Sequence, residues 1–318
     1  MLKCASFFAG VGGIDLGFEQ TNHFEVIYAN EFDESPIKTY EQNFNLSVDN
    51  NDIRKVSEKK LPKFDVLLAG FPCQPFSVAG YQQGLKDKKG RGDLFFELVR
   101  IFAEKKPKVI FLENVKNLVG HDEGKTFQII LDALEDNGYF VKYQVLNGMN
   151  YGNVPQNRER IYIVAFKNKR AFEKFNFPNP IRLTTKLNDV IEFDKKVEDK
   201  YYYTKEKYPK IVDEFKKFGV KDNTVYQWRR VYVRENKSGV CPTLTANMGE
   251  GGHNVPLINT KYGIRKITPK ECFNLQGYPK NYKLPNLSDT KLYKQAGNSV
   301  VVPVIKRIAD NIYEAIKE

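Results

Sequence analysis

A cysteine set between two prolines, in Gly70-Phe71-Pro72-Cys73-Gln74-Pro75-Phe76-Ser77, is the residue of this chain best suited to act as a nucleophile. The upstream run Phe64-Asp65-Val66-Leu67-Leu68-Ala69 reads as a short buried strand. Pro72, with a fixed φ and no N–H for a ladder, ends it. Cys73 then falls in the loop at the carboxyl end of a strand, the edge at which open α/β sheets bind ligands. The ordinary role of a free cysteine is that of a small buried hydrophobe, and packing does not explain a thiol held there by prolines. A thiol that attacks must be ionised or lose its proton on attack, which requires a site that lowers its pKa or supplies a base.

A second candidate site lies at Phe7-Phe8-Ala9-Gly10-Val11-Gly12-Gly13-Ile14-Asp15-Leu16-Gly17, a strand, a Gly-rich turn and a helix start. Glycines let a ligand approach the backbone, and a helix N-terminus offers free N–H groups. The spacing is not G-x-G-x-x-G. A further strand ends at Ala29-Asn30-Glu31, which puts a carboxylate about 20 residues after the turn, where ribose hydroxyls are gripped in such folds. The pair fits a nucleoside-bearing cofactor and does not by itself separate a dinucleotide from S-adenosylmethionine.

These residues need a scaffold, and its rhythm is visible. Strand-like runs at 4–8, 25–29, 64–69, 108–112, 140–146 and 160–166 alternate with amphipathic stretches at Asp33–Phe44, Asp93–Glu104 and Lys125–Asn137. That alternation predicts βαβ units and an α/β, Rossmann-like, doubly wound, mostly parallel sheet. From about residue 170 to 285 the rhythm fails, tyrosines cluster at 201–203, and short β-like pieces such as Arg230-Val231-Tyr232-Val233 appear. Val300–Ile316 again reads as an amphipathic helix. The expected division is a first domain of 1–180 plus 290–318 and a smaller, irregular domain over 181–289.

Composition narrows the class. The 318 residues, 41% hydrophobic and 13% aromatic, describe a folded protein. No apolar stretch approaches the ~20 residues of a membrane span, and no targeting signal is apparent, so a soluble, intracellular protein without membrane contact is expected. Four cysteines and three histidines are scattered, which supports neither a disulfide framework nor a metal site. The net charge of +11 is compatible with a polyanionic partner and equally with Lys-rich solvated faces.

Further motifs follow in order: Glu113-Asn114-Val115 after a strand, Gln156-Asn157-Arg158-Glu159-Arg160 before one, Arg265 and Glu271 ahead of Gln276-Gly277-Tyr278-Pro279, and Gly297-Asn298-Ser299-Val300. Taken singly, Glu113 reads as a strand-end carboxylate and the arginines as partners of surface acids. Taken in this order with the cysteine and glycine motifs, they give a chain that resembles the cytosine-5 DNA methyltransferase family, in its compact bacterial restriction–modification form. The resemblance covers nearly the whole chain except about residues 170–240.

The resemblance implies transfer of a methyl group from S-adenosylmethionine, leaving S-adenosylhomocysteine, to C5 of a cytosine flipped out of duplex DNA. Cys73 would attack C6, Glu113 would serve N3, Arg160 would hold O2 and Arg158 would support the same pocket. The family pattern matches Phe8, Gly10, Gly13, Glu31, Phe32, Asp52, Ile53, Pro72, Leu94 and Asn298 to the cofactor. Asn51 stands where relatives often have glycine, a departure beside Asp52. The DNA side would draw on Ser77 and on Lys86, Lys88, Lys89 and Arg91 of the loop 80–94. It would also draw on Arg229, Arg230, Arg234 and Thr243 of the target-recognition region, with Trp228 in the core or at the DNA. The family further implies a monomer in the bacterial cytoplasm, with no metal and a cognate restriction enzyme that shares the site without necessarily binding the protein.

Rival readings separate on particular residues. A tRNA cytosine-5 methyltransferase shares the motif order and differs in substrate. A zinc deaminase needs a second cysteine where Phe76 stands. An NAD-dependent oxidoreductase leaves Cys73, Glu113 and Arg160 unexplained together, and a non-catalytic DNA-binding protein would be expected to lose one of the three.

Overall fold

The structure, a computed structural model, describes residues 1–72, 94–250 and 254–317. Cys73, Ser77, Lys86, Lys88, Lys89 and Arg91 lie outside the described residues. The chain divides into two compact units, Met1–Leu146 with Glu159–Pro178 and Ile305–Glu318, and Asn147–Arg158 with Asn179–Val304. Residues 147–158 and 290–304, expected in the first domain, group with the second. Backbone bonds explain the former: Cys241 N–H donates to Pro155 O at 2.7 Å and Asn157 N–H to Cys241 O at 2.8 Å.

The first unit is built on a six-stranded sheet of β1 (Leu2–Phe7), β2 (Phe24–Asn30), β3 (Val66–Gly70), β4 (Val109–Val115), β5 (Phe140–Asn147) and β6 (Glu159–Phe166). Their spatial order is β2-β1-β3-β4-β6-β5. The pairs β1–β2, β1–β3 and β3–β4 are parallel, and β4–β6 is antiparallel. The order reverses between β1 and β3, so their carboxyl ends flank a topological switch point. β4 is buried along all but its last residue, as expected of a strand covered on both faces.

On one face, Leu98, Ile101 and Phe102 of the helix Leu94–Lys105 and Ile130 and Leu134 of the helix Lys125–Asp136 join Ile110, Leu112 and Ile163 in one apolar cluster. On the other, Phe18 of the helix Gly13–Glu19 meets Phe111 edge-on at 5.2 Å. Gly17 of that helix lies against the helix Val302–Ile316, where a Cβ would come within 2.5 Å of Ile305. The buried stripe Ile305, Ile308, Ala309 and Ile312 has helical spacing.

The second unit holds a four-stranded sheet of β7 (Tyr226–Trp228), β8 (Val233–Glu235), β9 (Leu257–Thr260) and β10 (Gly263–Lys266), in the order β10-β9-β7-β8. Ile211 and Phe215 of the helix Pro209–Phe215 pack with Tyr226, Val233 and Leu257 to form its core, and Trp228 packs against that cluster. The piece expected as a strand at 230–233 is a hairpin turn instead. Arg230 takes a left-handed φ of 61°, Arg229 N–H donates to Tyr232 O at 2.8 Å, and only Val233 enters a strand. Among the described residues no helix is long and apolar enough to cross a membrane, and no group of three or more His, Cys, Asp or Glu could hold a metal ion.

Candidate active site

β3 and β4 run side by side into the site, with Gly70 opposite Glu113. Beyond Gly70, Phe71 is buried and Pro72 half-buried. Asn114 fixes that exit: its side-chain amide donates to Phe71 O at 2.9 Å, and its Oδ1 accepts from Val115 N–H at 2.8 Å. The carbonyl just before Pro72 is tied to the end of β4. The motif Glu113-Asn114-Val115 carried no such role for Asn114 in the sequence, because its partner is 43 residues away.

Glu113 and Arg160 come together by register. Glu113 is opposite Tyr162 and Val115 opposite Arg160, so Glu113 and Arg160 are diagonal neighbours on one face of an antiparallel pair. Arg160 Nε lies 3.2 Å from Glu113 Oε1, with side chains 12% and 9% exposed. Arg160 also donates to Glu159 O at 2.8 Å. At Gly70 a side chain would meet Glu113 Oε2 at 3.5 Å, so the glycine leaves room beside the carboxylate.

The Gly-rich turn follows β1. Phe8, Gly10 and Gly12 all have positive φ, of 53°, 56° and 76°, a conformation that glycine adopts without steric cost. Gly10 N–H donates to Glu31 Oε2 at 2.9 Å, and the other Glu31 oxygen accepts from Asp33 N–H at 2.9 Å. Burial pushes the Glu31 carboxyl above its ordinary value, against the lowering effect of these two bonds. A Cβ on Gly10 would meet nothing nearer than Phe8 O at 4.0 Å, so the turn is open on that side. Phe32 is 70% exposed.

The segment after β2 is held by a polar cluster. Asn30 donates to Asp49 O at 2.9 Å and Asn51 O at 2.8 Å, and Tyr28 OH donates to Asp49 at 2.6 Å. Asn50 donates to Glu31 O and Phe32 O. Asp52, expected at the adenine edge, has its carboxylate gripped by Arg54 through Nε at 2.8 and 3.0 Å and through Nη2. This hydrogen bonding holds the Asp52 carboxyl down to about 2. Ile53 is buried, and Leu94 opens the helix Leu94–Lys105 half-buried.

The remaining candidates lie in the second unit. Arg158 is 2% exposed, and its guanidinium donates to Leu244 O at 2.7 Å, Gly297 O at 2.9 Å and Ser299 O. It therefore braces the backbone on both sides of Asn298, which is itself exposed. Thr243 is exposed and donates to Asn157 O at 2.6 Å. Arg229, Arg230 and Arg234 are exposed on the β7–β8 hairpin, and both Arg229 and Arg234 donate to Gln227 Oε1. No carboxylate among the described residues pairs with these three arginines.

Comparison with known proteins agrees with this architecture. The family model for C-5 cytosine-specific DNA methylase matches residues 2–314. The Type II methyltransferase M.Bsp6I of Bacillus sp. (strain RFL6) is 60% identical, over 99% of this chain and 100% of that protein. The Type II methyltransferase M.HhaI of Haemophilus parahaemolyticus is 38% identical, over 98% and 94%. Among solved structures, a DNMT2 variant from Spodoptera frugiperda aligns with a TM-score of 0.75 at 21% identity, covering 98% of this chain and 100% of that one, and shares the fold. A prophage-encoded DNA modification methyltransferase from E. coli aligns at 0.73 and 19%, covering both chains fully. On the strength of the family match and the two Type II relatives, the chain belongs to the C-5 cytosine-specific DNA methylase family and is a DNA cytosine-5-methyltransferase.

Proposed function

We propose that this enzyme methylates C5 of a flipped-out cytosine in a specific short duplex sequence, with S-adenosylmethionine as donor and a covalent bond from Cys73 to C6. The observation that supports this most is the Glu113–Arg160 pair at 3.2 Å, formed between β4 and β6, with Glu113 opposite Gly70 on the strand that precedes Pro72 and Cys73 in the chain. Cytosine C5 is a weak nucleophile until C6 is attacked. The Cys73 thiolate forms the bond to C6, and the electron pair displaced from the C5–C6 double bond develops negative charge on the ring. Glu113 meets that charge with a proton or hydrogen bond at N3, and Arg160 donates to O2. C5 then attacks the methyl carbon as its bond to the sulfonium sulfur breaks, leaving the pair on S-adenosylhomocysteine. A base takes the C5 proton, and that electron pair re-forms the C5–C6 double bond as the Cys73–C6 bond breaks and the thiolate leaves. The target carbon cannot be reached in a stacked duplex, so the base is extruded at a cost of a few kcal/mol.

The Gly-rich turn fits the donor. The turn is open at Gly10 and carries the Glu31 carboxylate beside it, a shape that accommodates a nucleoside-bearing ligand, and the family match points to S-adenosylmethionine among such ligands. When bound, S-adenosylmethionine supplies an electrophilic methyl group. In this reading Phe8, Gly10 and Gly13 approach the ligand with backbone, Glu31 holds the ribose hydroxyls and Phe32 stacks on adenine. Asp52 and Ile53 face the adenine edge, with Asp52 shared by Arg54. Pro72, Leu94 and Asn298 complete the set by resemblance. On the DNA side, Ser77, Lys86, Lys88, Lys89, Arg91 and Thr243 contact the backbone. Arg229, Arg230 and Arg234 supply base or phosphate contacts, since arginine can read guanine edges bidentately. The description of the matching family, C-5 cytosine-specific DNA methylase, names DNA, and no observation favours the tRNA reading.

A duplex carrying 5-fluorocytosine at the target tests the covalent step, because no C5 proton is then available for elimination. Wild-type protein with S-adenosylmethionine should form a denaturant-stable adduct, and Cys73→Ser should form none. An active Cys73→Ser variant would overturn the mechanism.

A further inference from the structure

Asp15 is a fully buried carboxylate that the reaction above does not use. It stands in the first turn of the helix Gly13–Glu19, directly after the Gly-rich turn. Ser6 Oγ of β1 donates to its Oδ1 at 2.6 Å, and Tyr40 OH, from the last residue of the helix Glu34–Tyr40, donates to its Oδ2 at 2.7 Å. Ser6 and Tyr40 are themselves buried. No cation is among these partners; Glu19 is a further negative charge nearby, and the charge of Asp15 also raises the pKa of the buried Cys4 thiol. A buried anion held by two hydroxyls and a backbone N–H, with no cation beside it among the described residues, is costly, and an apolar side chain would fill the space more cheaply.

What the carboxylate holds is informative. The Tyr40 ring stacks on Phe44 with centroids 4.3 Å apart, and both rings press on the turn. A Cβ at Gly12 would lie 2.4 Å from Phe44 and 2.9 Å from Tyr40. Gly12 is in the left-handed region and starts the helix that contains Asp15. The Tyr40 hydroxyl is thus pinned by Asp15 while its ring fixes the path of the backbone at Gly12, two residues from the open face of Gly10.

We propose that Asp15 is a positioning residue for the donor: through Ser6 and Tyr40 it sets the shape of the turn that S-adenosylmethionine approaches. This rests on the reading that the donor occupies that turn. Asp15 touches no reacting atom, so it acts on affinity and leaves the chemical step alone.

The test uses the full-length protein and its Asp15→Asn, Tyr40→Phe and doubly substituted forms, with Glu31→Ala as the reference. The Kd for S-adenosylmethionine is measured by calorimetry, kcat at saturating donor and DNA, and Tm by scanning. Tyr40→Phe keeps the ring on Gly12 and removes only the hydroxyl, so it should fold even if Asp15→Asn does not. Each single variant should raise Kd about tenfold, the size of one lost bond to a charged group, with kcat changed less than about twofold. The double variant should be no worse than the more impaired single one, because both break the same link. Kd values within twofold of wild type in Asp15→Asn and Tyr40→Phe, alongside a weakened Glu31→Ala, would overturn the inference and leave the donor site intact. An unchanged Glu31→Ala would instead remove the donor reading on which it rests.

Discussion

In the second unit Arg265 and Glu271 meet through two hydrogen bonds of 2.8 Å, with the arginine wholly buried. The same carboxylate accepts from Thr268 N–H at 2.7 Å and from Glu192 N–H at 2.8 Å, while Arg265 also donates to Glu192 O at 2.9 Å. In the first unit the same two residue types, Arg160 and Glu113, meet end to side at 3.2 Å on strands joined by register. The Arg265–Glu271 pair caps a helix and pins a distant loop in a geometry with two parallel bonds, a rigid arrangement. The Glu113–Arg160 contact runs through Nε, while Nη1 donates to Glu159 O at 2.8 Å. One pair is closed on the fold by further hydrogen bonds to the backbone; the other is a 3.2 Å contact, which in the proposed function is where a substrate would compete.

The sharpest way to break that contrast is at Glu113. Glu113→Gln should lower turnover by about 10²–10⁴-fold, the span for a general acid–base group, with a smaller loss of unfolding free energy than at Glu271, whose pair makes two hydrogen bonds. Single-turnover methylation together with urea unfolding checks both halves. Glu271→Gln should do the reverse and cost about 3–5 kcal/mol of stability, as when a buried pair loses one partner. Methylation per folded molecule should stay within about threefold of wild type, well short of the general acid–base range. Equal activity losses in the two variants would erase the distinction.

Asp15 sharpens the comparison, being a buried carboxylate with hydroxyl donors in place of an arginine. Burial raises its pKa from 3.8 to about 6, with the Ser6 and Tyr40 bonds opposing the shift. The folded state therefore binds a proton more tightly than the unfolded chain between these values. The contribution of Asp15 to stability is greatest below pH 3.8 and is lost as pH rises through about 6, opposite in sign to a salt-bridged acid. Urea unfolding between pH 4 and 7 should show the stability difference, wild type minus Asp15→Asn, falling with rising pH. A difference that rises would place a cation near Asp15.

The smallest effect is expected at Lys116–Glu159, an exposed pair at 3.0 Å beside Arg160. Lys116→Ala should change stability by no more than about 1 kcal/mol. A larger loss would mean that surface charge supports the Glu113–Arg160 geometry.

Much of this was legible in the chain itself. The strands of the first sheet were readable because apolar runs of strand length alternate with helical periodicity, and strand-end chemistry marks where each stops. That Glu31 comes to lie beside the Gly-rich turn was readable because β1 and β2 are adjacent parallel strands and the turn and the carboxylate follow their ends. Arg158 was not, since an arginine that braces Leu244, Gly297 and Ser299 has the same sequence signature as one that faces a pocket. The grip of Arg54 on Asp52 is a two-residue relation overlooked because the adenine edge explained Asp52 without it. The links from Asp15 to Tyr40 and from Asn114 to Phe71 span 25 and 43 residues, and no periodicity predicts them. The hairpin at Arg229–Tyr232 read as a strand because Val and Tyr favour strands, whereas two exposed arginines and a left-handed backbone make it a turn.

The antiparallel run of β6 beside β4 carries a consequence for how such an enzyme can change over time. Glu113 lies near the end of one strand and Arg160 near the start of the other, and only the reversal of β6 puts both at the same edge of the sheet. Substitutions along these strands alter packing one residue at a time. An insertion or deletion between Arg160 and Phe166 shifts the pairing by one and turns Arg160 to the opposite face, because side chains alternate with a period of two. The lineage is therefore free to lengthen its loops but not its sixth strand, and length variation among descendants should stop abruptly at Glu159.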